Sequence, residues 1–136
     1  MQKDIDIIIY GATGFTGQLC VKYFQSLNTG VKWAIAGRDQ EKLQKVALDN
    51  SADVEILIAD SDDEAALDIL TSRATVILST TGPFHRYGSK LVASCVKNSA
   101  NYVDITGENF WVKGLIAKHH EEASEKGIRI IPSCGY

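Results

Sequence analysis

The run Ile5-Asp6-Ile7-Ile8-Ile9-Tyr10 passes without a break into Gly11-Ala12-Thr13-Gly14-Phe15-Thr16-Gly17, so a β-branched apolar stretch meets three glycines spaced three apart. A segment with apolar residues at helical spacing, Phe15, Leu19, Tyr23, Phe24 and Leu27, follows at once. Strand, turn and helix therefore agree, which a glycine trio alone would not establish. Each glycine has a distinct task in such a turn: Gly11 takes the tight bend at positive φ, Gly14 lets backbone approach a ligand, and Gly17 lets the helix lie close on its strand. A helix N-terminus offers unpaired N–H groups and a partial positive charge. The segment reads as a binding turn for the pyrophosphate of a dinucleotide, the alternative being a tight turn with no ligand.

The same alternation of strand and helix continues to the end of the chain. Six strands are predicted, at Ile5 to Tyr10, Lys32 to Ala36, Val54 to Ala59, Thr75 to Thr80, Tyr102 to Ile105 and Ile128 to Pro132. Five helices lie between them, at Gly14 to Leu27, Asp39 to Asn50, Asp62 to Ser72, Gly88 to Asn98 and Asn109 to Lys126. Ser61 and Glu64 make a capping-box pattern for the third helix, and Gly127 stands where a left-handed cap should end the last one. Short connections and right-handed crossovers call for an α/β fold: a doubly wound parallel sheet in the order 3-2-1-4-5-6 with helices on both faces. With 136 residues, 45% of them apolar, the whole of 1–136 is expected to be one domain with a real core.

Charge and cysteine usage exclude several functions. A net charge of −3 gives no footprint for nucleic acid or an anionic membrane. Cys20, Cys95 and Cys134 are widely separated and lack CxxC spacing, so no disulfide framework or zinc site is expected. No stretch reaches membrane-spanning length, Met1-Gln2-Lys3-Asp4 lacks a signal-peptide layout, and the expected compartment is the cytoplasm.

In a doubly wound sheet ligands lie over the carboxyl ends of the strands, so the residues just past those ends are the candidates. After the second strand, Arg38 matches the position where an arginine accommodates the 2′-phosphate of NADP, whereas an acid there would favour NAD; the alternative makes Arg38 an ordinary surface charge. Asp39 is the expected N-cap of the second helix. After the third strand, Asp60 is placed either to accept a hydrogen bond from the adenine amino group or to serve as a helix-start acid. After the fourth, Thr81-Gly82-Pro83-Phe84 offers bare backbone beside a rigid residue, for ligand contact or for a structural turn. After the fifth, Asp104 and Glu108 could orient a ligand amide or do acid–base work, or simply hold backbone amides and start a helix. His119 and His120 are adjacent on one helix and cannot chelate as an i, i+4 pair. His85 has no acid that the sequence places beside it. Tyr87-Gly88-Ser89-Lys90 is one residue short of the Tyr-x-x-x-Lys pair of a short-chain dehydrogenase. No metal set emerges, and no catalytic residue is assigned.

The ordered set GATGFTG, AGR at 36 to 38, TTGPF followed by Tyr87-Gly88, YVDITGE at 102 to 108 and the closing IIPSCGY resembles the NADP-binding domain of the saccharopine dehydrogenase-like oxidoreductases. That family includes bacterial proteins described as trans-acting enoyl reductases. The resemblance spans essentially the whole chain and implies a Rossmann-type fold with NADP as cofactor. It implies that Gly11, Thr13, Gly14, Phe15, Thr16 and Gly17 hold the pyrophosphate and Arg38 the 2′-phosphate, with Thr81, Gly82, Pro83, Asp104 and Gly107 along the nicotinamide side. In relatives a second α/β domain follows the Cys-Gly-aromatic segment, here Cys134-Gly135-Tyr136, so the substrate domain is expected to be absent from this chain. The function implied is the cofactor half of an NADP-dependent oxidoreductase acting on a carbonyl, imine or enoyl group of a small-molecule or lipid substrate, with a homodimer as the candidate assembly of the full-length protein. The alternative is a non-catalytic module that senses NADP(H) and acts through a protein partner.

Overall fold

A computed structural model describes residues 3–27 and 30–135; Met1, Gln2 and Tyr136 of the motifs above lie outside the described residues. The elements run β1 (Ile5–Tyr10), α1 (Phe15–Ser26), β2 (Trp33–Gly37), α2 (Gln40–Asp49), β3 (Glu55–Ile58), α3 (Glu64–Arg73), β4 (Ala74–Ser79), α4 (Phe84–Tyr87), α5 (Ser89–Lys97), β5 (Asn101–Asp104), α6 (Asn109–Lys126) and β6 (Ile130–Ile131). The strands form one parallel sheet in the order β3-β2-β1-β4-β5-β6, the order that the alternation predicts.

Successive side chains of a strand point to opposite faces, and the core divides accordingly. Ile8, Tyr10, Ala34, Ala36 and Ile77 face Leu67 and Leu70 of α3, Leu91, Val92 and Cys95 of α5, and Trp111 and Leu115 of α6. Ile9 and Ile35 face the other way, onto Val21 of α1 and Leu43, Val46 and Ala47 of α2. Both faces are thus covered, which is why the central strands read as continuous apolar runs.

Several local details differ from the expectations. The predicted apolar stripe of α1 points outward: Phe15 is 83% exposed and Tyr23 60%, with Leu19 and Leu27 also exposed. The buried side is instead Gly17 and Val21 with half-buried Cys20 and Phe24, also at helical spacing. The helix lies so close to the sheet at Gly17 that only this side fits beneath it. Ser61 and Glu64 form no capping box. Asp63 is the N-cap of α3 and accepts from the N–H of Ala66 at 3.1 Å, while Asp60 accepts from the N–H of Asp62 at 2.9 Å. Asp39 caps α2 as expected, accepting from the N–H of Lys42, and Gly127 ends α6 at φ +70°. β6 is shorter than Ile128 to Pro132, because Pro132 brings no N–H and Ser133 takes φ +64°. The short α4 has no sequence counterpart among the five predicted helices. No helix among the described residues is long and apolar enough to cross a membrane.

Candidate functional site

Backbone hydrogen bonds carry the sheet's register into its loops. The N–H of Gly11 donates to the carbonyl of Ala36, that of Ala59 to Gly37, and that of Thr80 to Tyr10. The turns that follow β1, β2, β3 and β4 are therefore held side by side at the carboxyl edge.

The first turn is built by close backbone packing. Gly11 lies at φ +88°, and a Cβ there would fall 2.1 Å from Oγ1 of Thr81. A Cβ on Gly17 would fall 2.1 Å from the carbonyl oxygen of Gly11. Thr80 Oγ1 donates to the Gly11 carbonyl at 3.1 Å, and Gln18 Nε2 to that of Thr13 at 2.8 Å, so the turn is tied from both ends. Gly14 is the exposed N-cap residue of α1, no side chain caps the helix, and its first turn contains no acid.

This turn forms one wall of a cavity of about 230 Å³ lined by Tyr10, Gly11, Thr13, Gly37, Arg38, Ser61, Thr81, Gly82 and Tyr87. Four of the residues on that list were not expected: Tyr10, Gly37, Ser61 and Tyr87. Tyr10 was read as strand interior, and its hydroxyl donates to the Ala59 carbonyl at 3.0 Å. Burial pushes this phenol up to about 12, Asp60 and Asp62 add to the rise, and Arg38 opposes it. Ser61 is free to face the cavity because Asp63 does the capping. Tyr87 faces the cavity as the last residue of α4, and Lys90 turns to the carbonyl of Asp62 rather than toward Tyr87.

Arg38 is exposed and forms no ion pair among the described residues. Of the acids just past β2 and β3, Asp39 accepts from the N–H of Lys42 and Asp60 from that of Asp62. Oγ1 of Thr81 is buried and has no hydrogen-bond partner among the described residues. Such an atom costs roughly 1–3 kcal/mol unless a ligand satisfies it.

The remaining expected site residues lie outside the cavity lining. Phe15 and Thr16 begin α1, Gly17 is buried beneath it, and Pro83 is the N-cap residue of α4. Asp104 is almost wholly buried; its carboxylate accepts from the Tyr102 hydroxyl at 2.6 Å and from the N–H groups of Thr106 and Ser133. It ties the loop after β5 to the loop after β6. Gly107 is exposed in the first of these loops.

Glu108 does not cap its own helix. It reaches across to the start of α4, accepting from the N–H groups of Phe84 (2.7 Å) and His85 (3.3 Å), from Thr106 Oγ1 (3.1 Å) and from Nδ1 of His85. Burial pushes its carboxyl up, but the bonds from His85, from the two backbone N–H groups and from Thr106 outweigh this and hold it below the ordinary glutamate value. His85 thus has an acid beside it after all, supplied from 23 residues away, where no sequence spacing could reveal it. No group of histidine, cysteine and acidic residues among the described residues could hold a metal ion. A second cavity, of about 260 Å³ between α6 and β6, is lined largely by apolar residues and lies apart from the glycine turn.

A glycine turn under an open helix end, an unpaired arginine after β2 and a 3-2-1-4-5-6 sheet define a dinucleotide-binding domain of the Rossmann class. Comparison with known proteins narrows this. Residues 7–131 match the family described as the saccharopine dehydrogenase NADP binding domain, and the chain belongs to that family. It is 38% identical over 138 residues to the trans-acting enoyl reductase of Mycobacterium tuberculosis (strain ATCC 25618 / H37Rv), covering 99% of this chain and 33% of that protein. It is 34% identical over 140 residues to a lipid droplet localized protein of Caenorhabditis elegans, covering 96% and 33%. The chain therefore spans about a third of the length of these curated relatives. Among solved structures, apo saccharopine dehydrogenase (L-Glu forming) from Saccharomyces cerevisiae superposes with a TM-score of 0.79 at 18% identity, over 96% of this chain and 27% of that one. The Pseudomonas aeruginosa RhlG/NADP active-site complex gives 0.67 at 16% identity, over 96% and 70%. At these identities the likeness is one of fold.

Proposed function

We propose that the chain binds NADP(H) and serves as the cofactor domain of an oxidoreductase that reduces an activated double bond of a small-molecule or lipid substrate: enoyl, carbonyl or imine. The observation that carries this reading is Arg38, a guanidinium without an ion pair among the described residues that faces the same cavity as the glycine turn, with Asp39 and Asp60 each accepting from a backbone N–H group. The cavity fits the cofactor on two further counts. Thr81 Oγ1 is a buried hydroxyl with no hydrogen-bond partner among the described residues, and the space at Gly14, where a Cβ would meet only the Gly11 carbonyl oxygen at 3.6 Å, is open to a phosphate.

When bound, NADPH supplies a hydride. The protein's part is to hold it: the first-turn N–H groups of α1 with Thr13 for the pyrophosphate, Arg38 for the 2′-phosphate, Asp60 or Ser61 beside the adenine, and Thr81 and Gly82 toward the nicotinamide ribose. Hydride transfer also needs a substrate pressed against the nicotinamide and screened from water. One sheet edge supplies one wall of such a site. We assign the other wall to a substrate domain corresponding to the part of the relatives that this chain does not match. The enoyl reductase named among the relatives favours a conjugated C=C bond as the group reduced.

The test is a titration of the chain and of Arg38→Ala with NADPH and NADH. Hydrogen bonds to a charged group contribute about 1.5–3 kcal/mol, which is on the order of ten- to a hundredfold in affinity. Arg38→Ala should lose that factor for NADPH and change NADH binding by less than about twofold. Absence of binding by either nucleotide at millimolar concentration, or an equal change in both, overturns the reading.

A further inference from the structure

We propose that His85, held by Glu108, stands at the nicotinamide end of the site and delivers the proton that accompanies hydride transfer, an inference that rests on the NADP(H) reading above. The argument begins with the order of the strands. Arg38 and Ser61 follow β2 and β3 on one side of the glycine turn, whereas α4 and Glu108 follow β4 and β5 on the other. A dinucleotide with its adenosine over the first pair extends toward the second.

Reducing a double bond by hydride requires a proton for the other atom of that bond. The acidic groups past β4 and β5 are nearly all committed. Asp104 is buried under three donors, Glu108 accepts from four, and past β6 the thiol of Cys134 donates to the carbonyl of Ile131. Tyr87 faces the cavity that Arg38, Thr81 and Gly82 line, with the guanidinium of Arg86 over its ring. His85 differs from all of these. Its side chain is about half exposed, and its Nδ1–H donates to Glu108, which leaves Nε2 without a partner among the described residues. Its ring packs on exposed Phe110 of α6 at 5.5 Å, so an apolar surface lies beside the free nitrogen. A carboxylate that fixes one imidazole nitrogen and thereby aims the other is the usual arrangement of a histidine acid–base group. The charged groups about His85 are Glu108 at the start of α6 and Arg86 on α4 itself.

The step balances without another reactant. The hydride, with its two electrons, goes from NADPH to the electrophilic carbon; Nε2–H of the imidazolium gives its proton to the far atom of the double bond. NADP⁺, the reduced substrate and a neutral imidazole result, and water reprotonates Nε2.

Two measurements on this chain test the proposal. First, saturating NADPH should produce intermolecular nuclear Overhauser contacts between the His85 ring protons and the C4 protons of the nicotinamide. Saturation without those contacts overturns the inference and leaves the cofactor reading standing; absence of any NADPH binding overturns both. Second, NADPH oxidation by a small ortho-quinone probe should be slower by at least about tenfold in His85→Gln near neutral pH, and its dependence on pH between about 5 and 8 should flatten. Equal rates in both proteins across that range, zero included, refute the proton-delivering role.

Discussion

Replacing Gly17 by alanine tests the construction of the phosphate turn most directly. Its added Cβ would lie 2.1 Å from the Gly11 carbonyl oxygen, 2.8 Å from the Cα of Ala12 and 2.9 Å from the Gly11 carbonyl carbon. All three are backbone atoms of the turn, so no side chain can swing aside. Ordinary contact begins near 3.4 Å, and α1 would have to retreat from the sheet by on the order of 1 Å. Overpacking of this kind costs about 1–3 kcal/mol, partly offset by the better helix propensity of alanine, worth at most about 1 kcal/mol. We expect a net loss of about 2 kcal/mol, because the obstacle is rigid. With an unfolding entropy of roughly 2.1 cal/mol/K per residue over 136 residues, the melting temperature should fall by about 7 °C. NADPH affinity should fall at least tenfold as the first-turn N–H groups move by on the order of 1 Å. Gly114→Ala on α6 is the matched control: a Cβ there meets nothing within 4 Å, so it should stabilise by about 1 kcal/mol and raise the melting temperature by roughly 3 °C. Circular-dichroism melts and a fluorescence titration with NADPH read both quantities. A Gly17→Ala protein that melts at or above the wild-type temperature and keeps its NADPH affinity would refute the close-packed turn.

Two further outcomes follow from ionisable groups. Glu108 is held below the ordinary glutamate value of 4.5, so its contribution to stability is complete above that value and is lost as pH falls from there through the lowered folded-state value. Urea denaturation between about pH 5 and 3 should therefore show a steeper acid limb in the wild type than in Glu108→Gln, and coincident limbs would remove the α4 clamp. For the cysteines, burial pushes the thiol of Cys95 far up and that of Cys20 up, whereas Cys134 is exposed. A native-state assay with an aromatic disulfide reagent should show one fast thiol, abolished in Cys134→Ser, with Cys95 reacting only on unfolding; fast reaction of Cys95 would contradict the packing of α5 against β4 and β5.

The parts of the fold readable in the sequence are those written in short range. Strand β1 and helix α6 stand at their predicted boundaries because β-branched runs and a terminal glycine are local signals. The sheet order follows once each strand is joined to the next through a right-handed helix. What escaped prediction depends on contacts between distant segments. The outward turn of Phe15 and Tyr23 follows from the depth of Gly17 against Gly11, a distance that helical spacing does not encode. The capping pattern at Ser61 failed because Asp63 was a stronger competitor two residues on and brought α3 in later. Helix α4 spans only Phe84–Tyr87, too short for a periodic signal, and its N-terminus is closed by a carboxylate from the loop after β5. Gly11, Thr13, Arg38, Thr81 and Gly82 line one cavity, while Asp104 turns inward to hold two loops.

The distribution of acids matters to the proposed cofactor site, because the chain as a whole carries a net charge of −3. The carboxyl edge of the sheet is rich in acids, yet Asp39, Asp60, Asp63, Asp104 and Glu108 each accept from backbone N–H groups. Each bond rigidifies a turn and at the same time directs negative charge onto donors of the protein itself. Loops at the ends of parallel strands carry many orphan N–H groups, and short acids satisfy them without reaching into the ligand's space. The first turn of α1, where the chain places Phe15, Thr16 and Gly17, holds no acid and no side-chain cap, as is also true of α5 and α6, and the guanidinium of Arg38 has no ion pair among the described residues. An acid in that first turn would suit the helix dipole as well as Glu41 and Glu64 suit α2 and α3; α1 forgoes it, as α5 and α6 do, at a cost in helix stability, and the helix end that follows the glycine turn is left without negative charge in its first turn.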